Sequence, residues 1–190
     1  MSDLEIYARK SDWDELKQLV LRHGERVCVR KNDYFVQWGD ASDRIAYIKR
    51  GAFKYTRTRT DGKERILSFM FEGEFIANYI PSRNESMALM NVQALEDSVI
   101  YVFPVSRYRQ FFEKKIGRSV YVPQFTEVIA FGFLQKMLSW ACDTPEERYF
   151  SLKERVPDIF NRVNLKDIAS YIGVTPETLS RMRTSYLNKI

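Results

Sequence analysis

Histidine and cysteine are scarce in this sequence. Its 190 residues include one histidine, His23, and two cysteines, Cys28 and Cys142. An all-cysteine iron–sulfur site needs four thiolates, and a structural zinc site takes four cysteine or histidine ligands, so we expect no metal. A histidine-based catalytic triad has a single candidate with no nucleophile motif beside it, so we expect neither an enzyme nor a cofactor. We interpret the two cysteines as buried thiols, with a disulfide left open.

Long apolar runs are also missing. No segment approaches the roughly 20 apolar residues that span a bilayer. The first ten residues, MSDLEIYARK, lack the apolar core of a signal peptide. We therefore expect a cytoplasmic protein with no membrane partner. The net charge of +5 and the pI near 9.1 permit a nucleic-acid partner without demanding one.

Residues 164–183 have the pattern of two short helices joined by a tight turn. Asn164 can cap the first helix, with Asp167 three residues later, and Gly173 suits a turn that needs a positive φ. Thr175 can cap the second helix. The pattern predicts a helix-turn-helix, the arrangement with which many proteins read a DNA major groove. An ordinary helical hairpin with a solvated outer face fits the same caps and stays open as an alternative.

The second helix of this pattern has an apolar and a polar face. Leu179, Met182 and Tyr186 follow a helical spacing and would face the protein. The opposite face carries donors and acceptors that can meet base edges, namely Glu177, Ser180, Arg181 and Thr184. The last thirty residues hold a net charge of +3, from five basic and two acidic side chains, which suits a phosphate backbone.

Residues 26–103 differ in composition from the rest of the chain. They contain short runs rich in β-branched and aromatic residues, separated by Gly, Asp and Asn. These runs predict strands: RVCVR, YFVQW, RIAYIK, FKYTRTR, ERILSFMF and SVIYVF. Asp61-Gly62 between two of them predicts a hairpin with a two-residue type I′ turn. Strands at this spacing indicate a sandwich or barrel-like roll, and an amphipathic helix is predicted before them at residues 11–23.

Two segments of this β region resemble cyclic-nucleotide-binding β-rolls. KNDYFVQWGDASDRIAYIKRGAFKY places Gly39 and Gly51, with Asp40 between them, in the arrangement seen in those domains. FEGEFIANYI follows, and its Gly73 and Glu74 match the Gly-Glu pair of the phosphate-binding cassette. With the long helix and the helix-turn-helix that come later, the chain resembles the cyclic-AMP receptor protein/fumarate–nitrate regulator (Crp-Fnr) family of bacterial transcription factors.

The resemblance implies an α+β fold in three parts. These are a double-stranded β-roll at residues 1–116, a dimerisation and linker helix at 117–142 and a helix-turn-helix domain at 143–190. It also implies a homodimeric regulator on a pseudo-palindromic operator in double-stranded DNA, with RNA polymerase as a further partner. Carried over by position, Pro176, Glu177 and Arg181 would face bases. The residues expected at phosphates are Thr175, Thr178, Ser180 and Arg183.

A long helix predicted at residues 119–141 is apolar on nearly all of its faces. One chain could hardly cover so much apolar surface, although packing on the roll of the same chain is the alternative. The resemblance implies that the helix crosses its symmetry mate in the dimer. The residues assigned to that interface are Val122, Phe125, Ile129, Phe133, Met137 and Trp140.

The cassette departs from relatives that bind cyclic nucleotides. Those relatives place a phosphate-neutralising arginine a short helix after the Gly-Glu pair, a position that falls near Met87 or Ala88 here. Arg83 is the nearby cation, but it comes several residues too early. Because burying a phosphate without a cation is costly, we expect no cyclic-AMP binding, and the effector stays unknown. The residues assigned to an effector pocket are Gly73, Glu74, Phe75 and Arg83. The favoured alternative is that Gly73 and Glu74 serve only the turn and its hydrogen bonds.

Two further expectations concern what the protein binds and how strongly it binds DNA. The wing that many relatives carry after the recognition helix is absent from these 190 residues, which predicts weaker or more sequence-dependent DNA binding. In an alternative hypothesis the chain is a small-molecule sensor that acts on a protein partner. The face of Glu177 and Arg181 would then be an ordinary solvated surface.

Overall fold

The computed structural model describes residues 10–77, 87–107, 110, 132 and 134–187. Helix α1, Lys10–His23, matches the predicted amphipathic helix and precedes the strands. The strands are β1 Glu25–Val29, β2 Tyr34–Val36, β3 Arg44–Arg50, β4 Phe53–Thr58, β5 Glu64–Met70, β6 Phe75–Ala77, β7 Asn91–Ala94 and β8 Ser98–Pro104. Each of the six predicted runs overlaps one of these strands to within one residue at either end or contains it. Strand β6 was not predicted, because three residues are too few to show the alternation of apolar and polar side chains that is typical of a strand.

The strands form two antiparallel four-stranded sheets, with the orders β1-β8-β3-β6 and β2-β7-β4-β5. Ala46 in the middle of β3 pairs with Ile76 on one side and Val102 on the other. Apolar side chains from both sheets meet in one core, which includes Ile48, Ile100, Phe53 and Val92. Because each strand turns alternate side chains to this core, the two sheets form the predicted β-roll.

The hairpin between β4 and β5 was predicted correctly, but its turn was not. A type I′ turn needs a positive φ at both central residues. Here Gly62 has φ +78°, whereas Asp61 is not among the residues of positive φ. The N–H of Gly62 donates to the Arg59 carbonyl at 3.0 Å, and the N–H of Arg59 donates to the Lys63 carbonyl at 2.9 Å. The loop is therefore a longer turn that ends in a glycine of positive φ.

The C-terminal part of the chain is helical. Residues 134–142, called the linker helix below, are followed by α2 Pro145–Arg155, α3 Ile159–Arg162, α4 Leu165–Ile172 and α5 Pro176–Leu187. We call residues 145–187 the head. The one-turn helix α3 was not predicted, since four residues carry no helical period.

Polar side chains cap the first turns of these helices. Thr144 and Glu147 form a capping box at the start of α2. The Asn164 Oδ1 accepts the N–H of Asp167 at 2.8 Å at the start of α4. Gly173, with φ +91°, ends α4 in the left-handed conformation that glycine adopts without strain. The helix-turn-helix is thus confirmed as local structure.

The head shares a hydrophobic core with the roll. Ile168, Ile172 and Leu179 of the head are fully buried, and they belong to one cluster with Ile66 and Phe69 of β5. On the other side of the roll, α1 packs its apolar face on β3 and β8. Head and roll therefore bury apolar surface against each other, which favours association of the two parts.

The cysteines are not buried thiols, contrary to the prediction. Cys28 and Cys142 are both free and exposed. Cys28 lies on the edge strand β1 with its side chain turned away from the core, and Cys142 ends the linker helix. His23 is exposed at the end of α1. Within the described residues, no helix is both long and apolar enough to cross a membrane.

Candidate functional site

The second helix of the helix-turn-helix, α5, presents a polar face to solvent. Leu179 is completely buried and Met182 is 9% exposed, so these two side chains fix the opposite face against the head core. The exposed positions of the helix include four that the sequence assigned to the polar face, Glu177, Ser180, Arg181 and Thr184. A helix that offers a carboxylate, hydroxyls and a guanidinium on one free face can read base edges in a major groove.

The first turn of α5 is held by Thr175. Its hydroxyl oxygen accepts the N–H of Thr178 at 3.2 Å and lies 3.1 Å from the Thr178 hydroxyl. Thr175 is exposed, while Pro176 and Thr178 are half-buried. The N-terminus of a helix favours anions because its free N–H groups carry partial positive charge. An exposed threonine there is well placed for a phosphate oxygen.

Glu177 remains ionised on this face. Hydrogen bonds from its own backbone N–H and from the Thr175 hydroxyl, together with the Arg181 charge, hold the pKa of Glu177 below its ordinary value. A carboxylate accepts hydrogen bonds and donates none, so it suits a cytosine amino group. Arg181, one helical turn later, carries the donors that suit a guanine.

Arg183 differs from the other residues assigned to DNA. Its guanidinium carbon lies 3.9 Å from the centre of the Phe160 ring, and its side chain is half-buried. A cation in this position stabilises the packing of α5 on α3. A contact of Arg183 with the DNA backbone stays a prediction, but the structure gives this residue a role inside the head.

The cassette residues of the roll form a tight turn. Gly73 has φ +88°, and its N–H donates to the Ile48 carbonyl at 2.9 Å. The carboxylate of Glu74 accepts the N–H of Phe71 at 2.8 Å within the same turn. Phe75 packs on Tyr47, with 5.2 Å between the ring centres. Arg83 lies outside the described residues, so the structure brings together three of the four residues assigned to the pocket.

Tyr55 closes the roll behind this turn and was not singled out in the sequence. Its hydroxyl donates to the Ala77 carbonyl at 3.3 Å and accepts the Ala77 N–H at 3.1 Å. Burial raises the pKa of Tyr55, and Glu74 raises it further, so the phenol stays protonated. Tyr55 thus links β4 of one sheet to β6 of the other. Strand β6 is the strand that directly follows the Gly73-Glu74 turn.

The linker helix leaves an apolar stripe exposed. Leu134, Met137 and Leu138 are 47%, 69% and 48% exposed at spacings of three and four residues. Trp140 is in a different environment, because the guanidinium carbons of Arg65 and Arg148 lie 4.5 and 4.7 Å from the centre of its ring. Of the residues assigned to the dimer interface, Val122, Phe125, Ile129 and Phe133 lie outside the described residues.

An ion-pair network, called the docking contact below, joins the head to the cassette turn. Arg162 of α3 donates to both carboxylate oxygens of Glu72, each at 2.8 Å, and also pairs with Glu96. Glu72 further accepts the N–H of Gly51 at 2.8 Å. Glu72 directly precedes the Gly73-Glu74 pair, so the docking contact connects the turn assigned to the effector pocket with the head.

In the docking contact, burial and the neighbouring charges have opposite effects on the pKa values of Glu72 and Arg162. Partial burial acts to raise the pKa of Glu72, but the hydrogen bonds from Arg162 and from the Gly51 N–H hold it below the ordinary value. For Arg162, burial acts to lower the pKa, and its bonds to Glu72 and Glu96 raise it instead. Both partners therefore stay ionised at neutral pH, and paired carboxylates satisfy the guanidinium.

Further contacts hold the head on β4 and β5. Lys54 pairs with Asp167 at 3.3 Å, and both side chains are largely buried. The N–H of Ile66 on the edge strand β5 donates to the Ser170 hydroxyl at 3.2 Å. Arg155 donates to the Phe69 carbonyl at 3.0 Å. The first helix of the helix-turn-helix thus covers an open sheet edge.

Sequence reasoning missed these head–roll contacts because their partners lie far apart in the chain. Arg162 and Glu72 are 90 residues apart, and Lys54 and Asp167 are 113 apart. Local periodicity and capping rules carry no information on such pairs. The one available signal was the position of Glu72 immediately before the Gly-Glu pair.

Comparison with known proteins agrees with this arrangement. Residues 26–115 match the cyclic nucleotide-binding domain family. A probable transcriptional activator of Rhizobium leguminosarum bv. viciae is 26% identical over 176 residues, covering 86% of this chain and 71% of that protein. The transcriptional regulatory protein btr of Bordetella pertussis is 23% identical, covering 83% of this chain and 69% of that protein.

Solved structures share the fold over most of the chain. FixK2 from Bradyrhizobium japonicum has a TM-score of 0.67 at 19% identity, covering 87% of this chain and 85% of that one. The global regulator CLP of Xanthomonas campestris, described as c-di-GMP responsive, has a TM-score of 0.60 at 14% identity, with coverage of 93% and 92%. The catabolite activator protein of Thermus thermophilus has a TM-score of 0.52 at 17% identity, with coverage of 92% and 84%.

Proposed function

Because this chain belongs to the Crp-Fnr family of transcription regulators, we propose that it binds a pseudo-palindromic operator in double-stranded DNA as a homodimer. The observation that carries this proposal is the free polar face of α5, whose apolar side is buried in the head. In a twofold dimer the two copies of α5 would lie one DNA turn apart, roughly 34 Å. The operator would then contain two half-sites related by symmetry.

The roles on α5 follow from side-chain chemistry. Arg181 donates twice to a guanine, and Glu177 accepts from a cytosine amino group. Thr175, Thr178 and Ser180 bind phosphate oxygens and set the register of the helix. Pro176 has no N–H to donate, so it contributes shape alone. This division predicts that Arg181 governs sequence preference more than overall affinity.

The exposed stripe of the linker helix supports the dimer. Leu134, Met137 and Leu138 expose apolar area on one helical face, as in a helix that packs against a symmetry mate. Trp140 holds the helix on its own chain instead. The dimer seam accordingly runs along the stripe and away from Trp140.

The proposal also covers the setting of the protein. A regulator of this kind works in the cytoplasm, where bacterial DNA lies, and acts by helping or blocking RNA polymerase. It performs no reaction of its own. Its effector is not a cyclic nucleotide, because the cassette lacks the arginine that would neutralise the phosphate at the expected position.

Stoichiometry on DNA tests this proposal. We expect sedimentation velocity to give two chains per selected duplex, and a dimer in the absence of DNA. Leu138→Glu places a charge in the apolar seam, so it should give a monomer whose affinity for DNA falls at least about tenfold. Glu154→Gln, on the exposed side of α2, is the control and should remain dimeric. A wild-type chain that binds the duplex as a monomer would contradict the proposal.

A further inference from the structure

The β4–β5 hairpin of the roll carries a basic surface that the proposed DNA-reading residues do not include. Residues 57–65 contain four basic and two acidic side chains. One of the acids, Glu64, is bonded to Lys54 at 3.3 Å and to the Thr56 hydroxyl at 2.7 Å. The other, Asp61, lies 3.7 Å from Arg59 in an exposed pair. Such exposed pairs contribute little, so Arg59 is free to turn to another anion.

This hairpin is fixed beside the turn of the helix-turn-helix. The guanidinium of Arg65 lies on the Trp140 ring, and a Cβ built on Gly173 would fall 3.2 Å from the Arg65 Nη2. The adjacent residue, Ile66, bonds to Ser170 of α4. Gly173 precedes the cap of α5, Thr175, by two residues. The hairpin and the start of the recognition helix therefore form one continuous surface.

Basic side chains outnumber carboxylates on this surface. Burial lowers the pKa of Arg65, and the charges of Arg59 and Arg148 lower it further. Arg148 uses its donors on the neutral carbonyls of Ile172 and Ser139. In the part of the chain that the structure describes, Arg65 has no ion pair with a carboxylate. Guanidinium groups gathered in this way favour binding of an external anion.

We propose that the β4–β5 hairpin binds the DNA phosphate backbone beside the recognition helix, through Arg59 and Lys63, with Arg65 held behind them. Both of these exposed side chains lie on the hairpin. The inference rests on the proposed function, because α5 must bring DNA to this side of the molecule. The hairpin supplies phosphate-binding groups from the roll, whereas the base-reading residues all come from the head.

The test is a salt titration of DNA binding by the full chain. The double variant Arg59→Ala/Lys63→Ala is compared with wild type by fluorescence anisotropy, on a selected operator duplex and on a scrambled duplex. We expect an affinity loss of about tenfold on both duplexes, since binding to phosphates carries no sequence preference. The plot of log affinity against log salt should become shallower by about 0.9 for each phosphate that the variant no longer neutralises.

A matched control removes two cations elsewhere. Arg22→Ala/Arg26→Ala changes the exposed end of α1 and the edge strand β1, both on the other side of the roll. This variant should keep the wild-type salt slope, because the deleted charges lie away from DNA. A hairpin variant with the slope and affinity of this control would overturn the inference.

Two other outcomes are also decisive. Unchanged DNA binding combined with weaker transcription by added polymerase would overturn the inference and assign the hairpin to polymerase. Failure of the proposed function looks different, since the wild-type chain would then select no duplex at all. Thermal unfolding of the double variant confirms that it is folded before either comparison is made.

Discussion

At the scale of single residues, Gly173 and Gly62 show how the same backbone conformation can have different consequences. Both have positive φ, +91° and +78° respectively. A Cβ on Gly62 would meet no atom within 4 Å, whereas a Cβ on Gly173 would lie 2.9 Å from the Trp140 ring. Gly62 is required only for the backbone conformation of its turn. Gly173 serves its turn and also admits the ring that joins the linker helix to the head.

Alanine substitution should separate these two roles. Gly62→Ala should lower the free energy of unfolding by about 1 kcal/mol, the usual cost of a left-handed alanine. Gly173→Ala should lower it by about 2–4 kcal/mol, because Trp140 must also move. Urea unfolding of both variants measures the difference. Equal losses would show that Trp140 does not pack against this turn.

At the scale of elements, the docking contact is one of several contacts that hold the head on the roll. Arg162 of α3 bonds to Glu72 in the turn between β5 and β6, and its guanidinium also lies 5.0 Å from the Phe71 ring centre. The turn that follows β5 is therefore joined directly to the short helix α3. A change of conformation at Gly73 or Glu74 would reach the head through these contacts.

The docking contact should make the stability of the protein depend on pH. The pKa of Glu72 is depressed in the folded state, so its stabilisation is present above the ordinary glutamate value of 4.5. That stabilisation is lost as pH falls below 4.5 through the lower, folded value. Glu72→Gln cannot ionise, so the gap in melting temperature between wild type and this variant should be largest near pH 7.

Thermal unfolding between pH 7 and pH 3 measures this gap. We expect it to narrow steadily once the pH passes below about 4.5. Glu154→Gln on α2 is the control, since Glu154 is exposed and lies outside the docking contact. A gap for Glu72→Gln that stays constant over the whole range would mean that its charge does not stabilise the folded state.

At the scale of the whole molecule, the head and the roll are joined by a shared core. Tyr171 of α4 packs on Phe69 of β5 with ring centres 5.2 Å apart, and Ile66 and Ile168 are buried in the same cluster. The orientation of the recognition helix is consequently set by the roll.

Local features of this molecule could be predicted from sequence, and distant pairings could not. The caps at Asn164 and Thr175 follow from residue chemistry within three positions, so they were predicted correctly. The type of turn at Asp61-Gly62 was predicted wrongly because this dipeptide suits both a two-residue type I′ loop and a longer loop that ends in a glycine of positive φ. Trp140 fits an apolar helical stripe by spacing alone, yet its ring packs against Arg65, which lies on a strand of the roll and could not be foreseen from local spacing.

The central claim is that α5 reads bases through Arg181. The most direct measurement is a set of anisotropy titrations of wild type and Arg181→Ala against operator duplexes that carry every single base-pair substitution. Wild type should discriminate at one symmetric pair of positions by about 1–3 kcal/mol, and Arg181→Ala should lose that preference there while keeping the others. The control is Lys153→Ala, which removes one exposed cation from α2 and should keep every base-pair preference of the wild type. If Arg181→Ala kept the complete wild-type pattern of preferences, the claim would be wrong.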